Sequence, residues 1–221
     1  MNIFDIDMYL IFENSSLSIC VMQQFHDFTM MFLSLIMTFI LSMMIFMKKS
    51  KFYNYLFKEN MNLEIIWTII PMIILFLIAY PSIFYLYLFD LNLSPSFSTK
   101  VFGAQWYWMY ENFNQSSILK ESYMTNDLEL IQKDQYKMGW RLLDTDTRLS
   151  VPYGTEIQFI TTSLDVIHAF SVPELGIKMD AVPGRLNSMN VMITKPGMFF
   201  GQCAEICGTG HSFMPICMEA I

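Results

Sequence analysis

Charge is scarce in this sequence. Asp, Glu, Lys and Arg make up 15% of its 221 residues, and the formal net charge is -7. A sparse, acidic charge set argues against a nucleic-acid-binding surface and points to a cationic partner or none. Cysteine is scarce as well. Cys20, Cys203, Cys207 and Cys217 are too few and too unevenly placed for a disulfide scaffold, and only Cys203 and Cys207 are close enough to share a task. There are three histidines, His26, His168 and His211. Residues 1–27 contain no Lys or Arg, whereas a cleaved signal peptide needs a basic start and a shorter apolar run. No internal repeat or low-complexity tract is visible.

What is abundant is apolar. Hydrophobic residues make up 54% of the chain, with 20 Met and 20 Phe, a composition that fits a membrane protein. Phe28 to Met47 runs without a charge, and at about 1.5 Å per residue it covers roughly 30 Å of hydrocarbon. Ile65 to Phe89 is also uncharged and spans with some tilt. Pro71 and Pro81 interrupt its backbone bonding, which membrane helices tolerate where neighbours satisfy the freed carbonyls. Between the runs lie Lys48, Lys49, Lys51 and Lys58, while Asp5, Asp7, Glu13 and Asp27 precede them. The positive-inside rule then puts the connecting loop inside and both ends outside. Three pieces are expected: an outside-facing leader (1–27), a transmembrane hairpin (28–90, spans about 28–47 and 65–89) and a polar domain (91–221) after the Ser/Pro-containing "NLSPSFS".

The polar domain has mostly period-two patterning. "TEIQFIT" (155–161) alternates as a half-buried strand does, and "TKVFGA", "RLSVPY", "MNVMIT", "GMFFG" and "FMPICMEA" are further strand candidates. Pro and Gly turns punctuate them. Short strands with frequent turns predict a β-sandwich or barrel.

One loop concentrates soft donors. "GQCAEICGTGHSFM" (201–214) reads C-x3-C-x3-H-x2-M through Cys203, Cys207, His211 and Met214, and His168 in the strand-like "DVIHAF" offers a second imidazole. Thiolate, imidazole and thioether together suit copper best. Each residue has a plainer reading: a disulfide for the cysteine pair, packing for Met214, a polar strand end for His168, a solvated carboxylate for Glu205, and core packing for the aromatics of "WYW". A disulfide leaves His211 and Met214 unexplained. A mononuclear blue-copper centre needs one Cys, and this loop has two, enough to bridge two coppers. A bridged pair with no open coordination position suits electron transfer rather than substrate turnover.

"GQCAEICGTGHSFMPI", with "SVPELGIKMD" (171–180), "AVPGRLN" (181–187), "GAQWYWMYE" (103–111) and "LEIIWTIIP" (63–71), resembles the subunit II family of cytochrome c oxidase over most of the chain. The resemblance implies a two-helix transmembrane hairpin plus an all-β cupredoxin-like sandwich. It implies a dinuclear copper centre, copper A, held by His168, Cys203, Cys207, His211, Met214 and the backbone carbonyl of Glu205. The Glu205 side chain would join a magnesium site shared with the haem-bearing catalytic subunit. Trp106 would accept electrons from cytochrome c, and Glu64 would stand at the mouth of a proton pathway. Membrane lipid and other oxidase subunits are further implied partners, and no nucleic acid is.

Glu111, Asp144, Asp146 and Asp165 flank the aromatic and copper segments, and an acidic surface there would steer the basic cytochrome c. The implied location is the mitochondrial inner membrane with both ends in the intermembrane space. A bacterial plasma membrane shares that topology, but the heavy use of Met, Ile, Phe and Asn suggests an organelle-encoded product of an AT-rich genome. The family usually has His at the position of Ala104, "H-S-W" where "HAF" stands, and a short helical tail beyond the position of Ile221. A membrane-tethered copper chaperone is the alternative, but its thioredoxin-fold type places Pro after the second Cys, where Gly208 stands. A quinol-oxidase counterpart would lack the copper ligands.

Overall fold

The computed structural model describes residues 15–51, 56, 58–89, 94–112, 118–125 and 140–221. The leader acids Asp5, Asp7 and Glu13, and the start of "NLSPSFS", lie outside the described residues. Contacts divide the chain into two units, Val21–Leu91 and Met1–Cys20 with Asn92–Ile221.

The first unit holds two helices, and both are long and apolar enough to cross a membrane. Helix α1, Leu17–Lys49, ends on Lys48 and Lys49. It begins well before the uncharged run at Phe28, because a cap rather than composition sets its start: the Ser16 hydroxyl accepts the Ile19 N–H at 3.1 Å. Within α1, Ser34, Thr38 and Ser42 donate their hydroxyls to carbonyls three or four residues back, so no hydroxyl proton is left bare in a hydrocarbon setting. Helix α2, Met61–Phe89, is capped by Asn60, whose side-chain oxygen accepts the Leu63 N–H at 3.1 Å. It runs through Pro71 and Pro81. Its large apolar residues face outward, with Phe76 74% and Tyr87 71% exposed, as a lipid-facing surface requires.

The second unit is a sandwich of two five-stranded sheets. The first has the order β3-β2-β1-β5-β8, from β1 (Phe97–Ala104), β2 (Tyr107–Asn112), β3 (Lys120–Ser122), β5 (Glu156–Ser163) and β8 (Asn187–Met192). The second has the order β4-β10-β9-β6-β7, from β4 (Leu149–Val151), β6 (His168–Val172), β7 (Ile177–Ala181), β9 (Gly197–Cys203) and β10 (Pro215–Ala220). Most pairings are antiparallel; β1 with β5 and β4 with β10 are parallel. Inward residues of both sheets make one core, where Trp108 of the first meets Phe170 of the second edge-on at 5.4 Å. Ser15 and Ser16 pack on this unit: Ser16 bridges to Ile193 and donates its hydroxyl to the Leu175 carbonyl at 2.7 Å.

Candidate metal centre

Four of the five expected side-chain ligands come from three places that strand pairing draws together. His168 opens β6, rather than ending a strand as "DVIHAF" suggested, and Cys203 ends β9. These strands are antiparallel neighbours with Phe170 opposite Cys203, which sets the His168 ring beside the Cys203 sulfur. Cys207 lies in the loop that follows. Met214 comes immediately before β10, which pairs back onto β9 with Pro215 opposite Gln202. His211, the fifth expected ligand, starts a single 3₁₀ turn, His211–Phe213, in the same loop.

The donor atoms form a short chain. Cys203 Sγ lies 3.9 Å from His168 Nδ1 and 3.9 Å from Cys207 Sγ. Cys207 Sγ lies 3.6 Å from His211 Nδ1 and 3.6 Å from Met214 Sδ. The carbonyl oxygen of Glu205 is 3.3 Å from Cys203 Sγ. A disulfide needs its sulfurs at about 2.05 Å, so the cysteines are free thiols. Each sulfur has its own imidazole nitrogen, with the thioether on one side and the carbonyl on the other. His168, Cys203, Cys207 and Met214 are all buried, and soft donors gathered out of water fit copper better than a hard cation.

Electrostatics favour a metal here. Burial pushes the Cys203 thiol up, but hydrogen bonds from His168 and from the backbone at Ala169 and Glu205 outweigh it and bring the thiol down to about 6. Burial and the charge on Cys203 push Cys207 the other way. Two adjacent thiolates call for positive charge between them. Burial lowers the His168 pKa, but its bonds to Cys203 and Asp165 more than compensate and raise it.

The surroundings hold these donors in place. The His168 ring presses on the backbone of β1, where a Cβ at Gly103 would come within 2.8 Å of its Cδ2. Trp108, fully buried, meets the same ring edge-on at 6.0 Å and donates its indole N–H to the Met214 carbonyl at 3.0 Å. Sequence reasoning left Trp108 to packing and missed this bond. Gly103 and Gln105 were missed as well, since nothing in their spacing marks them.

Trp106 is 37% exposed and lies over the ligand loop. A Cβ at Gly210 would collide with its Cγ and would meet its Cδ2 at 2.5 Å. The Glu205 side chain points to solvent, and Glu64 is exposed in the first turn of α2. The flanking acids differ among themselves. Asp144 is buried, with Arg148 3.3 and 3.4 Å from its two oxygens. Glu111 is half-buried 4.0 Å from Lys100, and Asp146 is exposed while accepting the N–H groups of Tyr123 and Thr147. Asp165 reaches His168 Nε2 at 2.9 Å.

Comparison with known proteins agrees with this geometry. Residues 97–221 match the family described as "Cytochrome C oxidase subunit II, periplasmic domain", and residues 6–85 match its "transmembrane domain" counterpart. "Cytochrome c oxidase subunit 2" of Apis mellifera ligustica is 46% identical over 213 residues, covering 96% of this chain and 92% of the relative. That of Aedes aegypti is 47% identical over 199 residues, covering 89% and 84%. The crystal structure of the periplasmic domain of subunit II of cytochrome oxidase from Bradyrhizobium japonicum is 39% identical, with a TM-score of 0.51, covering 58% of this chain and 86% of that one. With both halves of the chain matched and the Cys, His and Met donors gathered at one point, the chain belongs to the cytochrome c oxidase subunit II family, two-span membrane subunits of a haem–copper oxidase that pass electrons to its catalytic subunit.

Proposed function

We propose that the cluster is a dinuclear copper centre of the copper A type, which accepts single electrons from cytochrome c for delivery to the haems of the catalytic subunit. The observation that carries this reading is the pairing of donors: two adjacent sulfurs, each with its own imidazole nitrogen within 3.9 Å. Copper bound there would supply one-electron redox chemistry. Cys203 and Cys207 as thiolates, the imidazoles of His168 and His211, the Met214 thioether and the Glu205 carbonyl would hold the copper. Burial keeps water from the thiolates, and the β1 backbone at Gly103 with the Trp108 ring holds the His168 imidazole in place, which limits reorganisation there as charge changes.

Trp106 is the contact for cytochrome c, because it is both exposed and packed on the ligand loop. Glu111, Asp146 and the rim around them supply the acidic field that attracts a basic partner; Asp144, buried and paired with Arg148, is compensated and adds little to it. The outward Glu205 carboxylate is placed to join a magnesium site shared with the catalytic subunit. Glu64 opens the second span, where a carboxylate at a membrane boundary can take up protons. With residues 28–90 as the hairpin and 91–221 as the copper domain, both ends lie outside. In an animal cell that is the intermembrane-space side of the mitochondrial inner membrane.

The test is metal analysis and electron paramagnetic resonance on the purified oxidase. The expected spectrum shows hyperfine coupling to two equivalent copper nuclei, and Cys203→Ser abolishes it. A single-copper pattern, or an unchanged spectrum in Cys203→Ser, would refute the assignment.

A further inference from the structure

Between two of the expected ligands, Cys207 and His211, the chain reads Gly208-Thr209-Gly210, and the Trp106 indole lies across both glycines. A Cβ at Gly210 would collide with Trp106 Cγ and come within 2.5 Å of its Cδ2 and 2.9 Å of its Cβ. A Cβ at Gly208 would stand 3.0 Å from Cζ2 and 3.3 Å from Nε1, towards the other end of the same ring system. Carbon atoms pack at about 3.5–4.0 Å, so the indole rests on bare backbone at Gly210, where even a methyl group does not fit. The seat is held from both sides. The Gly208 carbonyl accepts the His211 N–H at 3.2 Å and the Gly210 carbonyl accepts the Phe213 N–H at 2.9 Å. Gln105, directly before Trp106, donates its side-chain N–H to the Cys207 carbonyl at 2.8 Å and its backbone N–H to Asp165 Oδ2 at 2.7 Å.

The two glycines are there for different reasons. Gly208 has φ +124, which side chains rarely adopt, so the turn alone accounts for it. Gly210, at φ -89 and ψ 11, has a backbone conformation allowed to residues with a side chain, and the atoms that exclude one are those of Trp106.

We infer that Gly210 is a positioning residue for electron entry: by carrying no side chain it seats the Trp106 indole in direct contact with the backbone between Cys207 and His211. The inference rests on the copper reading above and on Trp106 as the entry point. One electron passes: the haem iron of the reduced partner is oxidised, the copper pair is reduced, and no bond forms or breaks. The contact governs the rate because electronic coupling falls more steeply across a gap than along bonds, and the seat leaves a single van der Waals contact between the exposed ring and the ligand loop. In Gly210→Ala the ring must retreat by about 1 Å, the shortfall between 2.5 Å and a normal carbon contact.

The test uses the assembled oxidase carrying Gly210→Ala, with Thr209→Ala, an exposed neighbour in the same loop, as control. With cytochrome c already bound at low salt, the single-turnover rate of copper reduction falls severalfold, by up to about 100-fold, while copper content and spectrum stay as in the parent and Thr209→Ala matches the parent throughout. In a Trp106→Ala background, which already lacks the indole, Gly210→Ala causes no further loss. A second readout needs no turnover: N-bromosuccinimide oxidises the lifted Trp106 faster than the seated one, followed by mass spectrometry of its peptide in copper-loaded and copper-depleted oxidase alike. An unchanged rate in Gly210→Ala, or an equal fold-loss in the Trp106→Ala background, would overturn the inference. Should Gly210→Ala lose its copper, Trp106 oxidation at the parent rate refutes the seat. A parent oxidase with no copper at the cluster, or one whose copper reduction survives Trp106→Ala, would sink the reading beneath the inference, an outcome distinct from a loaded parent with an unaffected Gly210→Ala.

Discussion

Trp108→Phe tests whether the fold and the ligand set are coupled through a single side chain. Trp108 is fully buried, donates to the Met214 carbonyl at 3.0 Å and meets both His168 and Phe170 edge-on. Phenylalanine keeps one ring but loses the N–H, and no other donor to the Met214 carbonyl occurs among the described residues. Leaving a buried acceptor unsatisfied costs about 1–3 kcal/mol, and the void left by the lost ring adds on the order of 1 kcal/mol. A loss of about 2–4 kcal/mol is expected. The assay is urea unfolding followed by far-ultraviolet circular dichroism on the β domain, a unit that was crystallised apart from its membrane segment in the Bradyrhizobium relative. Trp106→Phe is the control, since Trp106 is 37% exposed and a surface substitution of this kind stays within about 0.5 kcal/mol. If both variants lose the same small amount, the indole bond contributes nothing and the proposed coupling between core and ligand loop fails.

Two further expectations follow from the same packing. At Gly201 on β9 an added Cβ would collide with the Ser171 carbonyl oxygen of β6; because that obstacle is backbone, Gly201→Ala should cost about 1–3 kcal/mol or more and disturb the register that brings Cys203 to His168. Thermal unfolding with copper quantitation checks it, and a variant with parental stability and copper content would count against the close approach. Cys217 is buried, and burial together with the Asp144 carboxylate pushes its thiol up to about 12. A folded pKa above the unfolded one means that the folded chain holds the proton longer, so its contribution to stability is complete below about pH 9 and is lost as pH rises beyond it. The stability advantage of the parent over Cys217→Ala should therefore shrink between pH 9 and pH 10 in parallel denaturant titrations, and a pH-independent difference would refute the argument.

Strands that alternate plainly were legible in the sequence. "TEIQFIT" became β5, and β1, β4, β8, β9 and β10 overlap the segments whose pattern or turn punctuation marked them. β7 could have been read too, since Ile177, Met179 and Ala181 are buried while Lys178 and Asp180 are not. β2 was obscured because Trp108, Met109 and Tyr110 are buried in succession, leaving no polar position to mark the second face. The start of the first helix was not legible for a different reason: apolar composition marks what hydrocarbon accepts, whereas the helix starts where Ser16 caps it, ahead of the uncharged run. Asp165 was legible as an acid near the site but not as a bonding partner of His168, although the three-residue spacing between them was a usable signal.

The sequence by itself determined the two apolar runs, the β character of the domain and the identity of the soft donors. Each of these depends on local patterning or on residues gathered in one loop, so no knowledge of distant contacts was needed. The tertiary structure decided the rest. It brought His168 to Cys203 through the β6–β9 pairing, separated the buried Trp108 from the exposed Trp106 two positions away, and bonded the exposed Asp165 to His168 and Gln105. Those outcomes depend on which strands become neighbours and which buried polar atoms must find a partner, and both are settled only when the two sheets close on a common core.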